Sequence, residues 1–323
     1  MKYIAVTADK TLKIATAEQP AFHHNECLVK VKSIGVNRAD ILQKQGKYPP
    51  PKGESEILGL EVAGEIVDSG DAVHQWQPGD KVFGLVPGGA YAEYVKVKAN
   101  HLMPLPENLS FEQGAAIAEV FLTAYQSLFT LGQLKSGESV LIHAGASGVG
   151  TAAIQLAKAI GCKVLVTVGT DEKARACLAL GADQAINYKD ADFALWAKQH
   201  RPQGFDLILD VVAGDYLNKN ISVAALDGRI IMLAMLGGRF SEPVDCAKML
   251  MKRIRIQAST LRNRSDEYKE ALVENFRQTF FDKLQNESIF PVIDKVFDWQ
   301  EASQAHHLLE RNANIGKLVL KVK

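Results

Sequence analysis

The chain has 323 residues, of which 47% are hydrophobic, 23% charged and 7% aromatic, and its 37 basic side chains equal its 37 acidic ones. This composition excludes a mainly disordered or fibrous protein, and the length suits two domains of ordinary size. Because the net charge is zero, no overall electrostatic field favours nucleic acid or an anionic membrane as a partner.

The four cysteines lie far apart and form no CxxC pair, which argues against a disulfide framework, a zinc ribbon and a dithiol redox site. The N-terminal residues contain no long apolar segment with a cleavage site. No stretch reaches the roughly 18 uninterrupted apolar residues that are typical of a membrane span. We therefore expect a cytoplasmic protein that does not interact with a membrane.

Short alternating or β-branched runs, separated by glycine and proline turns, make up roughly the first 115 residues. Such runs begin at Cys27, Gly64 and Ala92, and the pattern is typical of an all-β or mostly β domain. The segment 48–51 (Tyr-Pro-Pro-Pro) is too rich in proline for a helix or a central strand. A stiff exposed loop is therefore predicted there.

Beyond about residue 139, apolar runs of four to eight residues alternate with helical patterns. This alternation predicts βαβ units in a parallel, doubly wound sheet, so the fold class is α/β. The predicted strands span residues 139–143, 163–168, 184–187, 205–210, 229–234 and 254–258. After residue 268 we expect a helical stretch, a helix at 299–311 and a closing strand from residue 317, which return the chain to the β domain.

The most informative segment is the turn Gly145-Ala-Ser147-Gly148-Val149-Gly150, which joins the first of these strands to a helix. It reads GxSxxG, with Ser147 at the middle-glycine position of the dinucleotide-binding pattern GxGxxG. A buried strand precedes the turn, and the first amides of the Ala-rich helix after it can hold a pyrophosphate. The serine could crowd that pyrophosphate, but its hydroxyl can instead donate to a phosphate oxygen. A tight strand-to-helix turn without a ligand is the alternative interpretation.

The end of the second strand predicts which dinucleotide binds. An NAD site usually carries an acid there for the adenosine ribose, whereas this strand ends Val168-Gly-Thr170. Asp171 and Glu172 follow, but Thr170 can cap the next helix, where acidic residues favour the dipole. Lys173 opposes that dipole, so it either points into solvent or lies beside an anion. The 2′-phosphate of NADPH would be that anion, and we expect NADPH as the cofactor.

Six motifs indicate the protein family: 36–40 (VNRAD), 45–51 (QGKYPPP), 57–61 (ILGLE), 141–155 (LIHAGASGVGTAAIQ), 226–229 (LDGR) and 314–317 (NIGK). With these motifs the chain resembles, over its whole length, the zeta-crystallin-like quinone oxidoreductases of the medium-chain dehydrogenase/reductase superfamily. The resemblance implies a GroES-like β domain at residues 1–120, completed by 268–323, and an NADPH-binding Rossmann domain at residues 121–267. It further implies an active site in the cleft between them, and a homodimer or homotetramer.

The resemblance also implies site residues, one matching position at a time. Asn37, Asp40 and Tyr48 fall where relatives line the quinone pocket, although they could equally be a turn amide, a helix cap and a loop aromatic. The residues implied to contact the cofactor outside the glycine-rich turn are Thr123, Tyr188, Met235, Gly237 and Asn314. From the sequence alone, several of these fit helix packing, a strand end or a loop just as well.

Zinc needs a separate test, because alcohol dehydrogenases of this superfamily are zinc enzymes. Their first cysteine ligand corresponds here to Asn37 and the histidine of their Gly-His-Glu motif to Leu60, and neither residue can bind zinc tightly. The third ligand position falls near Glu119, which alone cannot build a site. His306 and His307 are interpreted as residues of a surface helix. We therefore expect no metal.

These features together predict zinc-independent transfer of a hydride or electrons from NADPH to a quinone. A quinone needs little acid catalysis, since its reduced oxygens can take protons from water. An NADPH-dependent reductase of α,β-unsaturated ketones or thioesters is the enzymatic alternative, which a positioned general acid would favour. The alternative of another class is a nucleotide-bound binding or structural protein, such as a crystallin-like or RNA-binding one.

Overall fold

The computed structural model describes all residues from Met1 to Lys323. The chain divides into two compact units. We call the first, Met1–Leu122 with Leu261–Lys323, the β unit, and the second, Thr123–Thr260, the α/β unit. The sequence placed the corresponding divisions at residues 120 and 267.

The strands, numbered in chain order, are β1 (Lys2–Val6), β2 (Leu12–Thr16), β3 (Glu26–Val36), β4 (Glu61–Ser69), β5 (Lys81–Leu85), β6 (Tyr94–Lys98), β7 (Leu102–Pro104), β8 (Ser139–His143), β9 (Lys163–Val168), β10 (Gln184–Asn187), β11 (Phe205–Asp210), β12 (Ala224–Met232), β13 (Arg255–Ala258), β14 (Ile293–Asp298) and β15 (Lys317–Lys321). The α-helices are α1 (Arg38–Lys44), α2 (Phe111–Gly114), α3 (Ala118–Tyr125), α4 (Gly148–Ala159), α5 (Asp171–Ala179), α6 (Phe193–His200), α7 (Tyr216–Val223), α8 (Cys246–Lys252), α9 (Asp266–Gln285) and α10 (Ala302–Glu310). Two 3₁₀ turns and one π-helical stretch complete the set: Ala99–His101, Trp299–Glu301 and Gln126–Leu131.

The β unit is built on a sheet in the order β14-β15-β3-β4-β5-β7, with β6 also paired to β3, and on the hairpin β1-β2. β3 is long enough to have two partners along one edge, because its first half pairs with β6 and its second half with β15. The C-terminal strand thereby belongs to this unit. Apolar side chains of β3, β4, β6 and β15 form its core.

The α/β unit contains a six-stranded parallel sheet in the order β10-β9-β8-β11-β12-β13. Strand order reverses between β8 and β11, as in doubly wound folds. The predicted α/β class is therefore confirmed. The fifth strand was predicted at 229–234, but β12 runs from Ala224 to Met232, because Ala224 already pairs with Phe205 ahead of an irregularity that contains Asp227, at φ 60°.

One helical stretch, Phe111–Leu131, is long and apolar enough by composition to cross a membrane. In its most apolar window 72% is buried inside the protein. That burial is what a core helix of a folded domain shows.

The helix predicted at 299–311 is a 3₁₀ turn followed by α10, and the prediction that His306 lies on a surface helix is wrong. His306 has 0% of its surface exposed, and its Nε2 lies 2.9 Å from the Tyr91 hydroxyl. α10 packs one face against the core of the β unit, and His306 lies on that face. Burial lowers the pKa of His306 to about 3, so its ring is neutral.

Candidate functional site

The turn between β8 and α4 holds the glycine-rich motif of the α/β unit. β8 is buried along its length and ends at His143, and Ser147 caps α4. The Ser147 hydroxyl accepts the Gly150 N–H at 3.1 Å, so its own proton can still be donated to a ligand. A glycine is required at position 150, because the backbone of the preceding turn lies close to it. A Cβ there would lie 2.5 Å from the carbonyl oxygens of Ala144 and Gly145.

The first turn of α4 supplies hydrogen-bond donors to this part of the site. The N–H groups of Gly148 and Val149 precede any intrahelical acceptor, and the positive end of the helix dipole lies with them. Amides in this position bind the pyrophosphate of dinucleotides. α4 thus begins directly after a buried strand, in the strand–turn–helix arrangement that the sequence predicted.

The tip of β9 ends without an acid, at the place where the adenosine ribose of a dinucleotide is usually bound. Thr170 caps α5 by accepting the Lys173 N–H at 3.2 Å, as predicted. Asp171 accepts a hydrogen bond from the side-chain amide of Asn187 at 3.1 Å. This contact holds the Asp171 carboxylate against the end of β10, so it is not a free acid at the tip of β9.

Tyr188 lies beside the same strand end. Its N–H donates to the Val168 carbonyl at 3.0 Å, and a Cβ at Gly169 would come within 2.5 Å of its hydroxyl. Half of the tyrosine is exposed, and Lys173 is half-buried in the first turn of α5. Thr170, Lys173 and Tyr188, which are distant in sequence, therefore surround one strand end.

Met235 and Gly237 lie in the loop after β12. The Gly237 N–H donates to the Val212 carbonyl at 2.7 Å, which ties this loop to the loop after β11. The Met235 side chain is 64% exposed. Since β8, β11 and β12 are neighbouring parallel strands, their carboxyl ends share one edge of the sheet with the glycine-rich turn. Thr123, the first residue of this unit, is half-buried in α3.

A buried polar network lies under this edge, and the sequence analysis did not single it out. His143 Nδ1 lies 2.9 Å from the Thr167 hydroxyl and its Nε2 lies 2.7 Å from Asn220 Oδ1. Asn220 donates through its amide to Asp210 Oδ2 at 3.0 Å, so its oxygen accepts from His143 Nε2–H. Burial lowers the pKa of His143, and the neutral ring links the ends of β9, β8 and β11.

In the β unit, Asn37 and Asp40 shape the start of α1. Asp40 Oδ2 accepts the Asn37 N–H at 2.7 Å, and Asp40 Oδ1 accepts the Gly59 N–H at 3.1 Å. The Tyr91 hydroxyl lies 3.4 Å from the same Oδ2. Asp40 is 0% exposed, and burial raises its pKa to about 6. Its carboxyl group joins three segments of the protein and does not face solvent.

A buried charge cluster joins Asn37, Glu61 and Lys317. Lys317 Nζ lies 2.7 Å from Glu61 Oε1 and donates to Asn37 Oδ1 at 2.7 Å. The Asn37 amide donates to Glu61 Oε1 at 2.9 Å, and the Glu119 N–H donates to Glu61 Oε2 at 2.9 Å. Gly35 is needed beside this cluster, because a Cβ there would overlap the Glu61 carboxylate. Every charge of the cluster is thus paired or hydrogen-bonded, as burial requires.

Glu119 is the second residue of α3 and is partly exposed. Burial, and then the charge of Glu61, raise the pKa of the Glu119 carboxyl to about 7. The sequence indicated this position only as part of a metal site. The raised pKa favours the protonated carboxylic acid more than in an exposed glutamate.

A small cavity in the β unit is lined by Leu60, Glu119, Arg262 and Lys269, among others. The space open to the centre of a water molecule is about 10 Å³, which is room for one water-sized atom. The Arg262 guanidinium lies over the Tyr48 ring, 5.6 Å from its centroid. Tyr48 itself is half-buried in the proline-rich loop, and burial raises its pKa.

The predicted cofactor residues other than Asn314 lie in the α/β unit. Asn314 is buried in the β unit, where its amide donates to the Gly316 carbonyl at 2.7 Å. Arg262 and Lys317 were not predicted as site residues. A single basic residue carries no spacing signature, so only the fold shows that these two are buried. The ligand contacts of all the predicted residues stay predictions.

Two family models match the chain. The alcohol dehydrogenase GroES-like domain matches residues 23–107 and the zinc-binding dehydrogenase domain matches residues 148–277. The quinone oxidoreductase of Rattus norvegicus is 32% identical over 305 residues, 93% of this chain and 90% of the relative. The structure of Escherichia coli quinone oxidoreductase in complex with NADPH is 28% identical, with a TM-score of 0.87 over 99% of this chain and 98% of that one. JamJ enoyl reductase, in its apo form, is 26% identical with a TM-score of 0.87 over 100% and 99% of the two chains.

A GroES-like unit and a doubly wound unit with a dinucleotide-type turn define an oxidoreductase of the medium-chain dehydrogenase/reductase superfamily. Within that class, the similarity to the rat enzyme covers nearly all of both chains. The chain belongs to the quinone oxidoreductase family.

The name of one matched domain implies zinc, but the residues at the corresponding positions are poor ligands for it. Leu60 has no donor atom, and the oxygens of Asn37 and Glu61 are bound to the Lys317 ammonium. A divalent cation placed there would lie against a buried positive charge. No group of three or more His, Cys, Asp or Glu side chains in the structure is arranged to hold a metal. The residues present do not fit zinc.

Proposed function

We propose that this protein is a zinc-independent NADPH:quinone oxidoreductase, in which the α/β unit binds the cofactor and the β unit binds the acceptor. The observation that carries the proposal is the glycine-rich turn at 145–150, which opens α4 beside a strand end without an acid. Family membership supports the same function. NADPH supplies the hydride when it is bound, and the residues of the chain bind and orient the reactants.

The proposed cofactor contacts come from the turn before α4, the tip of β9 and the family resemblance. The first amides of α4 and the Ser147 hydroxyl bind the pyrophosphate. Thr170, Lys173 and Tyr188 surround the 2′-phosphate, where the Lys173 ammonium adds a charge-assisted hydrogen bond. The remaining proposed cofactor contacts are Gly145, Gly150, Thr123, Met235, Gly237 and Asn314.

In the β unit, Tyr48 is proposed to contact the acceptor, since a half-buried aromatic ring can stack on a flat quinone. Asp40 has no exposed surface, and Asn37 is bound to Lys317 and Glu61. We therefore propose that these two residues position the start of α1 and do not touch the acceptor. When the protein holds the acceptor and the cofactor in the reacting orientation, the reaction between them becomes an effectively intramolecular step.

Steady-state turnover of a panel of quinones with NADPH in excess tests the proposed function. We expect NADPH oxidation that depends on the quinone, with NADPH preferred over NADH. If NADPH binds but no quinone in the panel accelerates its oxidation, the enzymatic assignment is wrong. That result would favour a nucleotide-bound binding or structural protein.

Zinc independence is tested by metal analysis and chelation. We expect substoichiometric zinc in the purified protein and unchanged quinone turnover after treatment with EDTA, because the Lys317 ammonium holds the oxygens of Asn37 and Glu61. One tightly bound zinc per chain, lost together with activity, would contradict this expectation.

A second candidate function is reduction of α,β-unsaturated ketones or thioesters with NADPH. Glu119 favours it, because a carboxyl group with a pKa near 7 could serve as a general acid for protonation of the reduced carbon. The structural similarity to JamJ enoyl reductase is consistent with it. Formation of the saturated product from an enone, faster than any quinone is reduced, would favour this candidate.

We also propose that the protein is a homodimer or homotetramer in the cytoplasm. Relatives in the superfamily motivate the oligomer. Analytical ultracentrifugation of the purified protein checks it, and a monomer at micromolar concentration would contradict it.

A further inference from the structure

Arg262 lies in the loop between β13 and α9 and is only 5% exposed. Its Nε donates to the Pro87 carbonyl at 2.7 Å. Both terminal nitrogens, Nη1 and Nη2, are buried and have no hydrogen-bond partner in the protein. A buried guanidinium normally satisfies its donors, since leaving them unpaired is costly. These two nitrogens therefore point to a ligand that the protein alone does not supply.

The cavity beside Arg262 has the right size and charge for such a ligand. Glu119, Lys269 and His101 line it with Arg262, and Leu60 and Leu261 add apolar walls. The space of about 10 Å³ holds a single oxygen-sized atom and not a ring. Arg262 and Lys269 carry two positive charges, and Glu119 is the single acidic residue among the lining residues.

The orientation of the guanidinium limits what it can bind. One face of the planar group is covered by the Tyr48 ring at 5.6 Å, and Nε is committed to Pro87. The two terminal nitrogens are the donors that remain for a ligand. Tyr48, which covers one face of the guanidinium, is the aromatic residue that the family resemblance implies at the quinone pocket.

We propose that this cavity receives one carbonyl oxygen of the acceptor and that Arg262 donates a hydrogen bond to that oxygen as a catalytic residue. This inference rests on the proposed function. NADPH is oxidised to NADP⁺ as the quinone accepts a hydride, and the hydroquinone monoanion that forms takes one proton from water. The negative charge develops on oxygen, so a guanidinium fixed in advance stabilises the transition state more than the neutral quinone.

The test compares Arg262→Met, Arg262→Lys and the control Arg264→Met. Arg264 lies in the same loop and also stacks on a tyrosine, 4.7 Å from the Tyr268 centroid, but does not line the cavity. We expect Arg262→Met to lower kcat/KM for quinones about 10- to 150-fold, the range for loss of a charge-assisted hydrogen bond. Arg262→Lys should recover part of this loss, because an ammonium keeps the charge without the fork of two donors. The NADPH dissociation constant should stay unchanged in all three variants.

A merely structural role for Arg262 would give a different pattern. It would lower the thermal midpoint, and the loss of kcat/KM would be the same at Arg262→Lys as at Arg262→Met. If both variants fold and reduce quinones as fast as Arg264→Met, the inference is overturned while the proposed function stands. If the wild-type protein reduces no quinone, the proposed function itself fails. Quinone binding without NADPH, measured by tryptophan quenching, gives a readout independent of turnover, and equal affinity in wild type and Arg262→Met would also overturn the inference.

Discussion

Among single residues, Lys173 is the one whose charge we propose to decide between the two nicotinamide cofactors. It opposes the dipole of α5 and lies near the acid-free tip of β9, together with Thr170 and Tyr188. We expect Lys173→Ala to weaken NADPH binding about 10- to 150-fold, as expected for one lost charge-assisted hydrogen bond, and to leave NADH binding unchanged. Titration of both cofactors by fluorescence checks this.

Lys163→Ala is the matched control, because Lys163 is an exposed lysine at the opposite end of β9. It should change neither affinity. Equal losses for NADPH and NADH in Lys173→Ala would mean that the 2′-phosphate lies elsewhere.

Glu119 makes stability depend on pH. Its folded pKa, about 7, is raised above the ordinary glutamate value of 4.5 by burial and by Glu61. The folded state therefore holds the proton more tightly, and the free energy of unfolding falls as pH rises between these two values. We expect a loss of about 1 to 3 kcal/mol between pH 5 and pH 8 in urea titrations, since each pKa unit corresponds to about 1.4 kcal/mol. Asp40, with its pKa raised to about 6, changes stability in the same direction.

Glu119→Gln should remove the contribution of Glu119 to this pH dependence, because the amide does not titrate, and leave that of Asp40. Glu112→Gln is the control: the pKa of Glu112 is lowered, with a hydrogen bond to Lys321 among the causes, so this variant should keep the wild-type loss. A Glu119→Gln protein with an unchanged pH profile would show that Glu119 is not the titrating group.

Among the secondary-structure elements, the junction of β8 and α4 requires a glycine at position 150. A Cβ there would come within 2.5 Å of two backbone oxygens of the preceding turn, and backbone cannot yield as a flexible side chain can. We expect Gly150→Ala to displace the first turn of α4 and to weaken NADPH at least about tenfold, which corresponds to about 1.4 kcal/mol. Isothermal titration with NADPH measures this loss.

Gly181→Ala is the control for backbone strain, since Gly181 has φ of 103° but a Cβ there would meet only the side chain of Lys158. It should lower the thermal midpoint and leave NADPH affinity near wild type. If the two variants lose affinity equally, the close approach at Gly150 is not what shapes the site.

At the scale of the whole molecule, Lys317 links the C-terminal strand to residues in the first third of the chain. It lies at the start of β15 and pairs with Glu61 at the start of β4 and with the cap of α1. We expect Lys317→Met to lower the free energy of unfolding by about 3 to 5 kcal/mol, because a buried carboxylate would lose its partner. Lys321→Met, which removes the ion pair of a more exposed lysine with Glu112, should cost no more than about 1 kcal/mol. Equal costs in urea titrations would contradict this view of the cluster.

The sequence by itself determined the elements and the local chemistry of the α/β unit. The strands at 139–143, 163–168, 184–187 and 205–210 were predicted with the bounds that the structure has. The cap of α5, Thr170, was predicted as well, because turn glycines, apolar runs and capping hydroxyls act on neighbouring residues.

Only the tertiary structure decided which distant residues meet and which polar groups are buried. His306 has the sequence context of a surface histidine but lies against Tyr91, and Lys317 reaches Glu61 across about 250 residues. The fold also leaves the two terminal nitrogens of Arg262 without a hydrogen-bond partner and places its guanidinium over the Tyr48 ring. Burial depends on which faces of distant strands and helices pack together, and a pattern within one segment carries no information about the segment that will cover it.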